Sequence, residues 1–260
     1  MPGDRAESRP KTHNMGKKQM IYGFHPVEEA LKTGKALDRI FASNTLNPKT
    51  QAELHKLSRT HNVGVHYVPA PKLKRLSPGN HQGIIGFISP VEFVPLESFI
   101  QGLFESGKTP LLAVLDGVTD VRNFGAICRS VECMGGHAIV IPLKGSAPVQ
   151  EDAMKTSAGA LLHLPIIKVK SLKECITYLN NSGLQTLAFS EKSTQALNEI
   201  DLKLPTAMIF GNEDKGVSHS IAELSSQQVK IPMQGVTDSL NVSVSVGIAM
   251  YEVSHQRNHK

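Results

Sequence analysis

Five predominantly apolar runs in the second half of the chain constrain its fold more than any other feature. They lie at 111–115, 138–141, 164–169, 184–189 and 207–210, and segments with helical spacing separate most of them. A strand that is buried on both faces is apolar along its whole length, and parallel strands need crossover helices. The second half therefore predicts an α/β fold, in which a mostly parallel sheet has helices on both faces.

The first half predicts a smaller α/β layer structure. Helical segments near residue 25 and over 48–60 alternate with short strand patterns. These strands are expected at 20–22, 39–42, 65–68 and 84–88.

Composition divides the chain into four parts. The first 18 residues have almost no apolar side chains, which predicts a disordered basic tail. Proline and glycine recur between residues 89 and 110 and indicate a linker with a short helix at 96–104. We therefore expect a tail at 1–18, a small domain at 19–90, a linker at 91–109 and a larger domain at 110–260.

Basic charge is concentrated in the first 90 residues. They hold fourteen Lys and Arg against six Asp and Glu, whereas residues 91–260 hold fourteen against seventeen. Such asymmetry is typical of proteins that bind a polyanion, and it favours nucleic acid as a partner. Solvated surfaces and a basic tail are the alternative explanation of the excess.

Several classes of protein are disfavoured by the sequence. No apolar run approaches the length of a membrane span, and the charged N-terminus does not resemble a secretory signal. The three cysteines form no CxxC pair, which argues against structural zinc and fits a reducing compartment, so we expect a cytoplasmic protein. His255 and His259 have helical spacing but no acidic third ligand nearby, and we expect no metal.

Two polar stretches follow strands of the second half, where open α/β sheets place their ligands. The first is NFGAICR at 123–129, in which Asn123 could be a helix cap and Arg129 a solvated helix residue. The second is GNEDKG at 211–216, whose glycines would let backbone amides approach a ligand closely. It lacks the Lys-Ser/Thr pair of a P-loop, and no GxGxxG occurs in the chain.

A third stretch, at 229–256, combines a strand ending in 231–233, a loop and a long helix. Asp238 or Ser239 is a plausible helix N-cap. Small residues over 243–249 suit a helix that packs closely against another element. Apolar residues with helical spacing follow the loop at Leu240, Val244, Ile248 and Tyr251.

Taken together, the three stretches resemble the motifs of the SpoU branch of the SPOUT RNA methyltransferases. N-x-G-A-x-x-R matches 123–129, G-x-E-x-x-G matches 211–216, and I-P-M-x-G-x-x-x-S-L-N-V-S-V matches 231–244, in the family order. The third motif is long enough to be highly specific. One departure is that Val121 follows Asp120, where the family often has proline.

The resemblance implies that S-adenosylmethionine donates a methyl group to a ribose 2′-hydroxyl of RNA. It also implies a trefoil knot in the larger domain, an L30e-like fold in the smaller one, and a twofold homodimer that completes the site partly through the last helix. The two-domain layout is similar to enzymes that act on a guanosine of 23S ribosomal RNA. A transfer RNA ribose methylase and an inactive RNA-binding protein are the alternatives.

The same resemblance implies roles for particular residues. Asn241 and Glu213 would hold the active-site loops, while Asn123 and Arg129 would face the RNA. Guanidinium stays protonated in proteins, so we expect Arg129 to bind a phosphate and to stabilise developing charge rather than to act as a base. The cofactor would be bound by Gly211, Gly216, Ile231, Met233, Ser239, Leu240 and Asn241.

Overall fold

The structure is a computed structural model that describes residues 20–237 and 239–258. The tail predicted for residues 1–18 and the candidate cap Asp238 lie outside these ranges. The described residues form two sheets. Residues 20–90 are called the N-terminal unit below, and residues 91–258 the C-terminal unit.

The N-terminal unit is built on a four-stranded sheet with strand order β1-β4-β2-β3. Strand β4 is antiparallel to β1 and β2, whereas β2 and β3 are parallel. The elements are β1 (Met20–Tyr22), α1 (Phe24–Lys32), β2 (Leu37–Ser43), α2 (Pro48–His61), β3 (Gly64–Val68), α3 (Ala70–Leu76) and β4 (Ile84–Ile88).

The C-terminal unit is built on a six-stranded sheet with strand order β10-β8-β9-β5-β6-β7, in which every pair is parallel. This confirms the predicted mostly parallel α/β fold. The elements are α4 (Leu96–Glu105), β5 (Leu111–Asp116), α5 (Val121–Cys133), β6 (Ala138–Pro142), α6 (Glu151–Thr156), β7 (Ile166–Val169), α7 (Leu172–Asn181), β8 (Gln185–Phe189), β9 (Thr206–Gly211), α8 (His219–Ala222), β10 (Gln227–Val229) and α9 (Val242–Asn258).

Both faces of this sheet are covered, as the continuous apolar runs predicted. Leu111 and Leu115 of β5 face a core that contains residues of α5 and α9, while Leu112 faces a second core with residues of α4 and α7. Helix α4, which was expected within a linker, buries Leu96 and Ile100 in that second core. None of the helices in the described ranges combines the length and apolar character needed to cross a membrane.

Three local expectations were wrong. Helix α5 begins at Val121, because the Asp120 side chain accepts hydrogen bonds from the backbone amides of Arg122 and Asn123; Asn123 is therefore not the cap. Strand β10 ends at Val229 rather than in 231–233. Helix α9 begins at Val242 instead of near Ser239, and Asn241 Oδ1 accepts from the Ser243 amide at 2.9 Å.

A buried ion pair joins the two units. Lys168 of β7 donates to the Oδ1 atom of Asp38 at 2.7 Å and to its backbone carbonyl at 2.6 Å. Its ammonium also lies 4.0 Å from the ring centroid of Phe93. The Asp38 Oδ2 atom accepts from Arg39 Nε at 2.8 Å. Burial lowers the pKa of Lys168, and the Asp38 carboxylate opposes that shift.

Candidate active site

The three motifs meet in one cluster of side chains at the carboxyl edge of the sheet. Asn123 Nδ2 donates to Glu213 Oε1 at 2.7 Å, and Asn241 Nδ2 donates to the same oxygen at 2.5 Å. Asn241 Nδ2 also lies 3.2 Å from Asn123 Oδ1. Residues separated by 90 and 118 positions are thus brought into direct contact. The contacts tie the start of α5, the loop after β9 and the start of α9 together.

Asn241 also connects this cluster to helix α9. Its Oδ1 atom accepts from the Ser243 amide and hydroxyl, so both ends of the amide group are used. An Asn at this position therefore caps the helix and contacts Glu213 at the same time. Residues 240–246, LNVSVSV, alternate between apolar and polar side chains as a strand would, and the cap at Asn241 instead fixes the first turn of a helix.

A cavity of about 320 Å³ adjoins the cluster. Glu213 is part of its wall, but Asn241, Asn123 and Arg129 are not. Its size is within the usual range for small-molecule sites. The predicted residues that line it are Gly211, Gly216, Ile231, Met233, Ser239 and Leu240.

The floor of the cavity contains two aromatic rings that the sequence motifs did not indicate. Phe189 and Phe210 stack with their ring centroids 4.4 Å apart. They occupy the carboxyl ends of β8 and β9, so their positions at the ends of apolar runs were the available signal. Other lining residues missed by the sequence analysis are Ser190, Glu191, Lys192, Lys230, Val242 and Ser245.

Gly211 is required by the loop that forms one wall of the cavity. A Cβ atom there would lie 1.8 Å from the Gly216 carbonyl carbon and 2.0 Å from the Val217 nitrogen. The loop returns so closely because Asn212 and Gly216 exchange two backbone hydrogen bonds, while Gly216 has a φ of +67°. Any side chain at 211 would therefore displace the loop that presents Glu213.

Val121 stands at the first helical position of α5, where proline is favoured because its missing amide hydrogen is not needed. The departure from the family pattern therefore removes a stiffening residue but no hydrogen bond.

Gly125 of the first motif is packed closely against Thr156, since a Cβ atom at position 125 would lie 1.9 Å from Thr156 Oγ1.

Arg129 lies apart from the cluster. Its side chain is exposed on α5, and among the residues that the structure describes it has no hydrogen bond or ion pair. Its neighbour Ser130 faces α9, because a Cβ atom on Gly247 would lie 3.7 Å from Ser130 Oγ. The single chain therefore brings Asn123, Glu213 and Asn241 together but leaves Arg129 outside.

Comparison with known proteins agrees with this arrangement. The chain matches the SpoU rRNA methylase family over residues 110–251 and the family description "RNA 2′-O ribose methyltransferase substrate binding" over residues 20–94. A Staphylococcus saprophyticus protein named as a TrmH family tRNA/rRNA methyltransferase is 30% identical over 240 residues, covering 92% of this chain and 96% of the relative.

Solved structures show the same likeness. A crystal structure described as an RNA 2′-O ribose methyltransferase is 28% identical, with a TM-score of 0.54 over 92% of this chain and 88% of the other. The SpoU methyltransferase AviRb from Streptomyces viridochromogenes, solved in complex with AdoMet, shares the fold with a TM-score of 0.56. It is 21% identical, and the match covers 93% of this chain and 91% of AviRb.

The parallel α/β sheet with a cavity at its carboxyl edge, together with matches to an RNA methylase family and to its substrate-binding region, identifies an RNA-modifying enzyme. The chain belongs to the SpoU family, and it is an RNA methyltransferase that uses S-adenosylmethionine. This confirms the family, the enzyme class and the cofactor that the three motifs predicted.

Proposed function

We propose that the protein transfers a methyl group to the 2′-hydroxyl of a guanosine ribose in 23S ribosomal RNA. The observation that supports this most strongly is the cluster of Asn123, Glu213 and Asn241, which links all three motifs beside the cavity. The match of residues 20–94 to a 2′-O-ribose substrate-binding family supports the ribose as acceptor.

The cavity fits S-adenosylmethionine chemically. Ile231 and Leu240 provide apolar surface for a purine ring, and the backbone at Gly211 can contact its polar edge. Met233, Ser239 and Gly216 would complete the binding site, and Glu191 offers a carboxylate to hydroxyl groups. When bound, the cofactor supplies a methyl group already activated by its sulfonium charge.

The chain's own task is then to hold the hydroxyl in line and to help it lose its proton. Glu213 Oε1 already accepts from two amide groups, which supports a role in holding the loops rather than in removing the proton. Arg129 would bind the phosphate beside the target ribose and stabilise the developing oxyanion charge. That phosphate or a water molecule would accept the proton.

The architecture proposed with this function has two domains, at 19–90 and 110–260, joined by 91–109. An L30e-like fold for the first and a trefoil knot in the second are supported by the family match. The three free cysteines support a reducing, cytoplasmic location. A transfer RNA target is the second candidate, because the relatives' names include both RNA classes.

Mapping of 2′-O-methyl groups tests the target. We expect total RNA from cells that lack the gene to lose one methylated ribose in 23S ribosomal RNA. Purified protein with S-adenosylmethionine should restore it on the unmethylated RNA. Loss of a methyl group from transfer RNA alone would select the second candidate, and an unchanged map with no methylation in vitro would contradict the proposal.

We also propose that the protein is a homodimer that uses helix α9. This helix is apolar on two sides, and its inner side is buried against α5. The outer side leaves large apolar residues exposed at Val244, Ile248 and Tyr251, and Leu240, which has the same spacing, is exposed in the loop just before the helix. A self-complementary surface of this kind suits a twofold interface, whose edge would bring the exposed Arg129 of α5 toward the partner's cavity.

Replacing Ile248 with Glu is expected to convert the dimer to monomers, because it would place an unpaired charge in the apolar interface. Sedimentation velocity measures the change. Phe104→Glu is the matched control. Phe104 of α4 is as exposed as Ile248 but does not belong to the outer apolar side of α9. If Ile248→Glu sediments like the wild type, α9 is not the interface.

A further inference from the structure

A second groove lies at the carboxyl ends of β5, β6 and β7, beside the cofactor cavity. Its volume is about 430 Å³. The residues that line it are Asp116, Gly117, Pro142, Lys144, Gly145, Lys170, Ser171, Leu172, Lys173, Ser218, Ser220 and Ile221. Three lysines and three serines among them make this groove basic and rich in hydrogen-bond donors.

The lysine charges in this groove are not neutralised by the protein. Lys144, Lys170 and Lys173 are exposed, and among the described residues none of them has an ion pair with a carboxylate. Asp116 is the acidic residue in the lining, and its Oδ2 atom accepts from the Ser218 amide at 2.8 Å. The groove therefore has a net charge of +2 when Lys and Asp are ionised, from three lysines and one aspartate.

Backbone geometry adds to the attraction for anions. Helix α7 starts at the groove, capped by Ser171, whose Oγ atom accepts from the Glu174 amide at 3.3 Å. The first amides of an α-helix have no acceptor within the helix, and its N-terminus carries partial positive charge. Both effects act in the same direction as the lysines.

The groove is connected to the candidate active site on one side. Asn212, next to Glu213, donates from Nδ2 to the Gly117 carbonyl at 3.0 Å. Gly117 lines the groove, whereas Asn212 and Glu213 line the cofactor cavity. The groove and the cofactor cavity are therefore adjacent, with this hydrogen bond at their boundary.

On its other side the groove reaches the N-terminal unit. Lys170 Nζ donates to the Arg59 carbonyl of α2 at 3.1 Å. Nearby, burial lowers the pKa of His66, and the positive charges of Arg39 and Lys144 lower it further. Basic side chains thus lie on both sides of the junction of the two units, with Lys144 and Lys170 on one side and Arg39 on the other.

We infer that this groove binds the phosphodiester backbone of the RNA strand between the target ribose and the N-terminal unit. Lysine binds phosphate as a mobile point charge, so the groove would position the strand without selecting its sequence. This inference rests on the proposed function, because it takes RNA as the substrate.

The double variant Lys144→Gln/Lys173→Gln tests the groove and leaves the Lys170 contact intact. We expect RNA affinity to fall about 10- to 30-fold at 0.1 M salt, and the slope of log affinity against log salt to fall by about 1.4. The matched control is Lys108→Gln/Lys203→Gln, which removes two exposed lysines before β5 and β9, at the opposite edge of the sheet. It should retain the wild-type affinity and slope.

Binding is measured with full-length protein, S-adenosylhomocysteine and unmethylated ribosomal RNA from cells that lack the gene. Thermal shifts with S-adenosylhomocysteine should be equal in all variants, because neither pair lines the cofactor cavity. Equal RNA affinity and salt slope in the groove and control variants would overturn the inference. Failure of the wild type to methylate RNA would contradict only the proposed function, since the binding comparison requires no methyl transfer.

Discussion

Replacing Arg129 with Ala is expected to slow methyl transfer about 10²–10³-fold while cofactor binding persists. The reason is the loss of a positive charge that stabilises the oxyanion only in the transition state. Because Arg129 is exposed and has no partner among the described residues, its removal should change the free energy of unfolding by less than about 0.5 kcal/mol. Single-turnover methylation at saturating cofactor measures the rate.

Two further variants separate charge from geometry. Arg129→Lys keeps the charge but lacks the planar pair of donors, so partial rescue would indicate electrostatic stabilisation and no rescue would indicate a geometric requirement. Arg122→Ala removes the same charge about two turns earlier on α5, outside the motif. It should cost less than about tenfold. Wild-type turnover by Arg129→Ala would remove Arg129 from the mechanism.

Replacing Lys168 with Met is expected to destabilise the junction of the two units by about 3–5 kcal/mol. The substitution removes the ammonium that contacts Asp38 Oδ1 at 2.7 Å and leaves the buried carboxylate with Arg39, on its other oxygen, as its remaining charged partner. Asp38 and Lys168 are 1% and 6% exposed, so water cannot replace the lost partner without opening the interface. Thermal unfolding should show a lower transition temperature, by several degrees or more.

Two controls make this result specific. Lys173→Met removes an exposed lysine five residues along the chain and should change stability by less than about 0.5 kcal/mol. Asp38→Leu/Lys168→Met removes both buried charges and should recover part of the loss, because replacing a whole ion pair is often neutral. Wild-type stability of Lys168→Met would show that the pair does not hold the units together.

The Lys168 contact also has a functional consequence. The pair fixes how the N-terminal unit sits beside the lysine groove, so Lys168→Met should raise KM for long RNA more than it lowers kcat. Cofactor affinity should be unchanged, because Lys168 does not line that cavity.

Much of the fold was determined by local sequence. The apolar run at 111–115 predicted β5, which the structure gives as Leu111–Asp116, and the helix expected over 48–60 is observed at Pro48–His61. Burial on both faces of a parallel strand demands such runs, so periodicity alone is informative. The order of the three motifs likewise indicated the family before any geometry was known.

Other features depended on contacts between distant residues. Periodicity indicated one apolar side of α9, through residues such as Ile248, but the structure buries the opposite side, including Val246 and Met250, in the chain's own core. A helix that is apolar on two sides gives no local sign of which side faces which partner.

The sequence by itself determined the strands, most helices, the family motifs and the basic first half, because these depend on neighbours along the chain. Tertiary structure alone decided that Asn123, Glu213 and Asn241 share hydrogen bonds. It also decided that Lys168, within an apolar strand, is buried against Asp38, 130 residues away. Such contacts arise from the crossover of parallel strands and the docking of two sheets, and no local pattern encodes them.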